Sequence, residues 1–273
     1  MDRLSHTRLT RRSILLNAAG AGLAAALNRP AQASIYRGLV GNIKPRAADS
    51  SLVDMIKLLP DGIGVIPVYV NVTPESREDG SVYPLYEERI SYLASQKCNL
   101  IAIEGAPPFM LLGAAREAEM LDGWKRKYNI DMFTAPQNQV NAFRALKAKR
   151  ILGITAGANG ADVNKVYAKY FEDNGFSVVA MERLGAEFNS ERDVPPATIA
   201  PLIRKIFAEH KGVDALYLLG PALEALPLIT PLERDSGVPV VQAITARVWE
   251  IQKRLKVHEP VKGYGRLLET LPA

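Results

Sequence analysis

Asn99-Leu-Ile-Ala-Ile-Glu-Gly-Ala-Pro107 and Asp214-Ala-Leu-Tyr-Leu-Leu-Gly-Pro221 are two versions of one pattern. Each is an unbroken apolar run that ends in a small-residue turn ahead of a helical stretch. Such a run suits a strand buried on both faces, as in a parallel sheet covered by helices. The same alternation continues on either side. Strands are predicted at 38–40, 64–70, 131–133, 151–155, 177–181 and 238–241, besides 100–103 and 215–219 in the two quoted stretches. Helices are predicted at 84–96, 110–127, 137–147, 160–173, 197–209, 224–235 and 244–255. The fold class is therefore α/β. Two similar halves would set the turns after Ile103 and Leu219 across a cleft from one another, and ligands of parallel sheets bind outside the carboxyl ends of the strands.

The first 33 residues stand apart. A basic segment ends in Thr10-Arg11-Arg12-Ser13, an apolar stretch runs from Ile14 to Leu27, and Ala31-Gln32-Ala33 follows. This is the layout of a cleavable targeting peptide, and the arginine pair resembles the address read by the twin-arginine export machinery. The apolar stretch is about 14 residues long, short of the roughly 20 that span a bilayer. The expectation is a periplasmic protein with no stable membrane insertion after cleavage.

That segment also explains the charge. The whole chain has 34 basic and 29 acidic side chains; without residues 1–33, 29 and 28 remain. A nearly balanced chain without basic patches interleaved with aromatics has no nucleic-acid footprint. Cys98 is the one cysteine and precedes an apolar strand, as a buried small hydrophobe does. His210 and His258 are isolated, so no metal-ligand spacing is present.

The strand-end turns hold the candidate chemistry. Asn42, Gly105, Ala106, Asn138, Thr155, Asn159, Gly220 and Pro221 are candidates for binding a small carboxylate. They supply backbone amides and neutral polar groups near helix starts, although Gly, Asn and Pro are also ordinary turn formers. Glu104 is the candidate catalytic residue, because a carboxyl that interrupts an apolar strand at its functional end suits proton transfer. The bland alternative is that it caps the next helix or pairs with a surface arginine or lysine. Arg247, just after the last strand, could bind a carboxylate or simply be solvated.

Several pieces resemble the aspartate/glutamate racemase superfamily, and within it the arylmalonate decarboxylase and maleate isomerase branch. They are Arg37-Gly-Leu-Val40, Val72-Thr73-Pro74, Glu104-Gly105-Ala106, Thr155-Ala156 with Asp162-Val163-Asn164, and Gly237-Val-Pro-Val-Val241. The resemblance covers most of residues 37–256. It implies two pseudosymmetric doubly wound domains with parallel sheets and helices on both faces. The first would comprise 34–135 plus 240–260 and the second 136–239, with the final helix packing back on the first. Residues 261–273 would form a tail, looped at Gly263 and Gly265.

The resemblance further implies chemistry without metal or organic cofactor. Its racemases hold a cysteine at each of the two turns, one thiolate removing the α proton and the other thiol supplying one. The decarboxylase keeps only the second. This chain has Gly105 and Gly220 at those places, Ala106 and Pro107 where hydroxyl residues help hold the carboxylate, and Ala156-Gly157-Ala158-Asn159 in place of a tyrosine-bearing loop. Three readings follow: a divergent lyase or isomerase of small carboxylic acids, a noncatalytic periplasmic binding or sensing protein, and a noncatalytic partner in an assembly.

Overall fold

The computed structural model describes residues 36–45, 51–155, 160–184, 194–220 and 223–273. The export segment 1–33 and the site candidates Asn159 and Pro221 lie outside the described residues. Four strands, β1 (Gly38–Lys44), β2 (Ile63–Tyr69), β3 (Leu100–Ile103) and β4 (Asp131–Thr134), form a parallel sheet in the order β2-β1-β3-β4. Four more, β5 (Arg150–Thr155), β6 (Ser177–Arg183), β7 (Ala215–Leu219) and β8 (Val240–Gln242), repeat that order as β6-β5-β7-β8. The expected pseudosymmetric, doubly wound α/β architecture is what the chain adopts.

The two quoted strands are the central β3 and β7, every residue of which is buried. Alternate residues of the first sheet serve different cores, because successive side chains point to opposite faces. Val40, Leu100, Ala102 and Phe133 join one cluster, with Met55. Ile43, Ile101, Ile103 and Met132 join the other, with Tyr86, Ile90, Leu93 and Trp124. β2 lies at the sheet edge, where Pro67 costs no ladder bond to a further strand.

The helices are α1 (Ser51–Leu58), α2 (Pro74–Glu78), α3 (Val82–Ser95), α4 (Ala106–Leu112), α5 (Ala114–Tyr128), α6 (Ala135–Ala145), α7 (Gly160–Asp173), α8 (Pro196–Glu209), α9 (Ile229–Ser236), α10 (Ala243–Arg254) and α11 (Arg266–Thr270). The predicted 110–127 helix is two helices, broken at Gly113 with φ 86°. Two short helices of the first half lie outside the predicted ones. In α1, Ser51, Met55 and Leu58 are buried at helical spacing. In α2, Thr73 and Ser76 form a capping box.

The tail corrects the expectation of a loop. Gly265, at φ 88°, leads into α11, and a Cβ there would lie 2.5 Å from Ile229 Cγ2. The glycine marks close approach, not irregularity. Leu267 and Leu268 are buried, and Trp249 Nε1 donates to the Pro272 carbonyl at 2.9 Å.

β8 pairs within the second sheet, and the chain returns to the first half only with α10, which packs on α1, α6 and β3. Arg254, in the last turn of α10, reaches Asp131 at the start of β4 at 2.7 Å. α10 therefore runs down from the strand ends in the same sense as α6, and the Asn141 amide donates to Glu250 at 3.1 Å where the two meet. Among the described residues, no helix is long and apolar enough to cross a membrane.

Candidate functional site

Polar side chains that alternate with apolar ones on β1 converge with the end of β3. Asn42 and Lys44 share one face of β1, and the next residue of that face on β3, beyond Ala102, is Glu104. The Glu104 amide extends the ladder to the Ile43 carbonyl at 2.8 Å. Its side chain accepts from Asn42 Nδ2 at 2.8 Å, meets Arg247 Nη1 at 3.0 Å, and lies 3.4 Å from Lys44 Nζ at both oxygens. Lys44 Nζ in turn donates to Ser51 Oγ, in the first turn of α1, at 2.5 Å. None of these five residues is more than 2% exposed.

Glu104 thus neither caps α4 nor reaches the surface. The cap residue of α4 is Gly105, which has no side chain to offer. Glu104 is the anionic member of a buried cluster with two cations. Arg247 is not solvated; it binds a carboxylate, but that of Glu104. Taking such charges out of water is costly, and the cluster is tolerable because each charge faces an opposite one. Lys44 and Ser51 were not anticipated. Apolar patterning ends β1 at Val40, whereas the strand runs on through Asn42 to Lys44. The signal available was the polar-apolar alternation of Gly41-Asn-Ile-Lys44.

The first turn is closed to a thiol. Gly105 has φ 98°, and a Cβ there would lie 2.5 Å from the Tyr86 hydroxyl and 3.6 Å from Pro45 Cβ. That hydroxyl donates to the Glu104 carbonyl at 2.9 Å, so it has its own reason to be there. Ala106 is buried, and Pro107 and Pro108 contribute no N–H to the start of α4. Cys98 is buried at the opposite end of β3, and its thiol is raised by desolvation, so it is not a nucleophile in waiting.

Asn138 lies one turn nearer the strand ends than Asn141, on the face of α6 that meets α10. It is 1% exposed, and neither of its amide atoms has a hydrogen-bond partner among the described residues. At the second sheet, Thr155 and Leu219 pair in register, which brings Thr155 beside Gly220. The Thr155 hydroxyl is 3.3 Å from both Asn164 Oδ1 and the Glu182 carbonyl, so it serves its own half. Gln242 ends β8 and caps α10, accepting from the Ile244 amide at 2.6 Å.

A second buried carboxyl joins the halves. Glu117 of α5 accepts from the Thr134 hydroxyl at the end of β4 and from the Tyr170 hydroxyl of α7. Burial pushes its pKa up to about 7, although both hydrogen bonds pull the other way. The described residues contain no group of three or more His, Cys, Asp or Glu side chains that could hold a metal ion.

Two pseudosymmetric parallel sheets, with strand-end turns that carry the polar residues, define a class of α/β proteins whose sites lie outside the strand ends. Residues 72–268 match the arylmalonate decarboxylase family, and the chain belongs to that family. It is 26% identical to arylmalonate decarboxylase from Bordetella bronchiseptica over 238 residues, which cover 84% of this chain and 96% of the relative. It is 24% identical to maleate isomerase from Nocardia farcinica, over 76% of this chain and 94% of that one. A liganded double mutant of arylmalonate decarboxylase superposes with a TM-score of 0.75 at 24% identity, covering 85% of this chain and 99% of the other; this likeness speaks for the fold.

Proposed function

We propose that this chain is a divergent lyase or isomerase that acts at the carbon next to a carboxylate in a small carboxylic acid, without a metal or organic cofactor. The observation that carries the reading is a buried, cationic strand-end cluster in a member of this family. Loss of a proton or of CO2 beside a carboxylate leaves an enediolate, on which negative charge grows. Fixed cations in a water-poor interior stabilise such charge more than water does. Lys44 and Arg247 are cations of that kind, and Glu104 and Asn42 hold them at the ends of β1 and β3. Gly105, Ala106 and Asn138 lie beside the cluster in this reading, with Thr155 and Gly220 across from it.

A second reading has its own support. The chain lacks a thiol at both turns, and Tyr86 fills the space one would need at Gly105. A periplasmic binding or sensing protein would keep the fold and lose turnover. Incubation of the protein in deuterated water with phenylmalonate, maleate, lactate and alanine separates the two. Carbon-bound deuterium or released CO2 is expected. Calorimetric binding without either would leave the sensing reading standing alone.

Export completes the proposal. Residues 1–33 read as a twin-arginine signal, so the working compartment is the periplasm. Replacing Arg11 and Arg12 by lysine should trap the precursor in the cytoplasm; unchanged fractionation would reject that address.

A further inference from the structure

Glu117 is a buried ionisable group that the chemistry proposed above leaves unused, and it lies where the two halves meet. It belongs to α5 of the first half, and its carboxyl accepts from two hydroxyls. One is Thr134, at the end of β4, which also caps α6 by accepting from the Gln137 amide at 3.3 Å. The other is Tyr170, on α7 of the second half. None of the three is more than 4% exposed. α7 also packs on α4, the helix that begins at the Gly105 turn.

This carboxyl has no cation of the kind that holds Glu104. α4 carries no ionisable side chain, and α6 carries only Arg144, in its last turn. The charge on β4 is Asp131, at the far end of the strand, where Arg254 reaches it at 2.7 Å. On α7, Lys165 and Lys169 are exposed, and Lys169 pairs with Asp173 at 2.8 Å. Arg116 and Glu119 of its own helix are exposed as well. From α3, Tyr83 senses the carboxyl but donates to the Pro108 carbonyl at 2.9 Å. Burial raises the Tyr170 phenol, with help from Glu117 and, more weakly, from Tyr217 of β7, so it stays protonated as a donor.

We propose that Glu117 is a proton-operated latch between the two halves. Protonated, it holds α7 to α5 through Tyr170; ionised, it lets α7 go as the carboxylate takes up water. Hydroxyls accept as well as donate, so the contact with Tyr170 and Thr134 persists when the carboxyl carries a proton. The latch does not depend on which acid the chain acts on.

The direction follows from linkage. The carboxyl ionises at about 7 when buried and near 4.5 in water, so the closed state holds the proton more tightly. Closing is fully favoured below that window and weakens about tenfold for each pH unit across it. Above the window no further loss follows.

Hydrogen exchange of the native protein from about pH 5 to about pH 8, corrected for the intrinsic rate at each pH, compares the opening of α7 with that of β3. Amides of α7 should lose on the order of 100-fold in protection between about pH 5 and about pH 7, then level off. β3 should stay at least about tenfold better protected at every pH, because a local opening leaves the central strand paired. Glu117→Gln cannot ionise and should abolish the fall. Tyr170→Phe removes a donor to the carboxylate, so the fall should extend upward by about one pH unit, a shift that a merely structural role would not produce. Equal protection of α7 and β3 throughout would mean that the whole molecule opens at once, and overturns the latch. A flat α7 profile in the parent, or a fall retained in Glu117→Gln, overturns it also. Should Glu117→Gln not fold, Tyr170→Phe decides, and an unmoved window there rejects the proposal.

Discussion

At one contact between a helix and a central strand of the other half the polar groups are charged, whereas at its counterpart they are neutral. The two helices that follow the last strand of each sheet show this most directly. Five residues past its cap Gln242, α10 carries Arg247, which reaches Glu104 on the first half. Five residues past its cap Thr134, α6 carries Gln139, which accepts from the Tyr217 hydroxyl of β7 at 2.7 Å. Each helix thus holds a central strand at the same step along its length. The backbone repeat is preserved, and the chemistry at the equivalent contact is not.

The physical difference lies in what each contact demands. A neutral amide and a phenol lose little on leaving water once they find one another. An arginine, a lysine and a glutamate lose much more, and remain compatible with folding only as a complete set. A fold that needed only to tie helices to strands would be served by the neutral version twice. The charged version gathers two cations and an anion out of water beside the end of β3.

The comparison can be broken by removing one member from each contact. Arg247→Met leaves Glu104 and Lys44 buried with an arginine missing and should cost about 3–5 kcal/mol in denaturant unfolding. Gln139→Leu removes the neutral acceptor that the Tyr217 hydroxyl uses and should cost about 1–2 kcal/mol. Equal losses would mean that the charged cluster is no more integral than the neutral pair.

A pH titration of stability sharpens the same contrast through the contact between α5 and α7. The Glu117 carboxyl ionises near its ordinary value of 4.5 when unfolded and at about 7 when folded. Between those values the unfolded chain binds fewer protons, so stability falls as pH rises across that window, by on the order of 3 kcal/mol. Glu117→Gln should flatten that fall, and an unchanged slope would assign the pH dependence elsewhere.

Gly105→Cys is expected to have the smallest of the large effects. Positive φ and the Tyr86 hydroxyl together should destabilise it by about 1–3 kcal/mol, without any gain of racemisation. A variant as stable as the parent would show that Tyr86 yields readily at this turn.

Much of this was legible beforehand. The buried runs at Leu100–Ile103 and Ala215–Leu219 announce central parallel strands, because only a strand covered on both faces can be apolar throughout. Glu104 stands out as the single charge at the end of such a run, and the glycines at 105 and 220 exclude thiol chemistry at the turns by composition alone. The partners of Glu104 were less accessible. Asn42 is 62 residues away and reads as a turn former, Lys44 lies beyond the predicted end of β1, and Arg247 belongs to the last long helix. Local pattern carries no information about which distant residues a sheet register places side by side.

What the sequence by itself determined is the alternation of strand and helix, the family, and the absence of cysteine from both turns. Each depends only on residue type and spacing along the chain. What only the tertiary structure decided is that Glu104 is shared between a buried lysine and a buried arginine, that Tyr86 occupies the space at Gly105, and that α10 makes a charged contact with a central strand where α6 makes a neutral one. Those facts depend on register, on helix direction and on exclusion from water, which a linear order of residues does not contain.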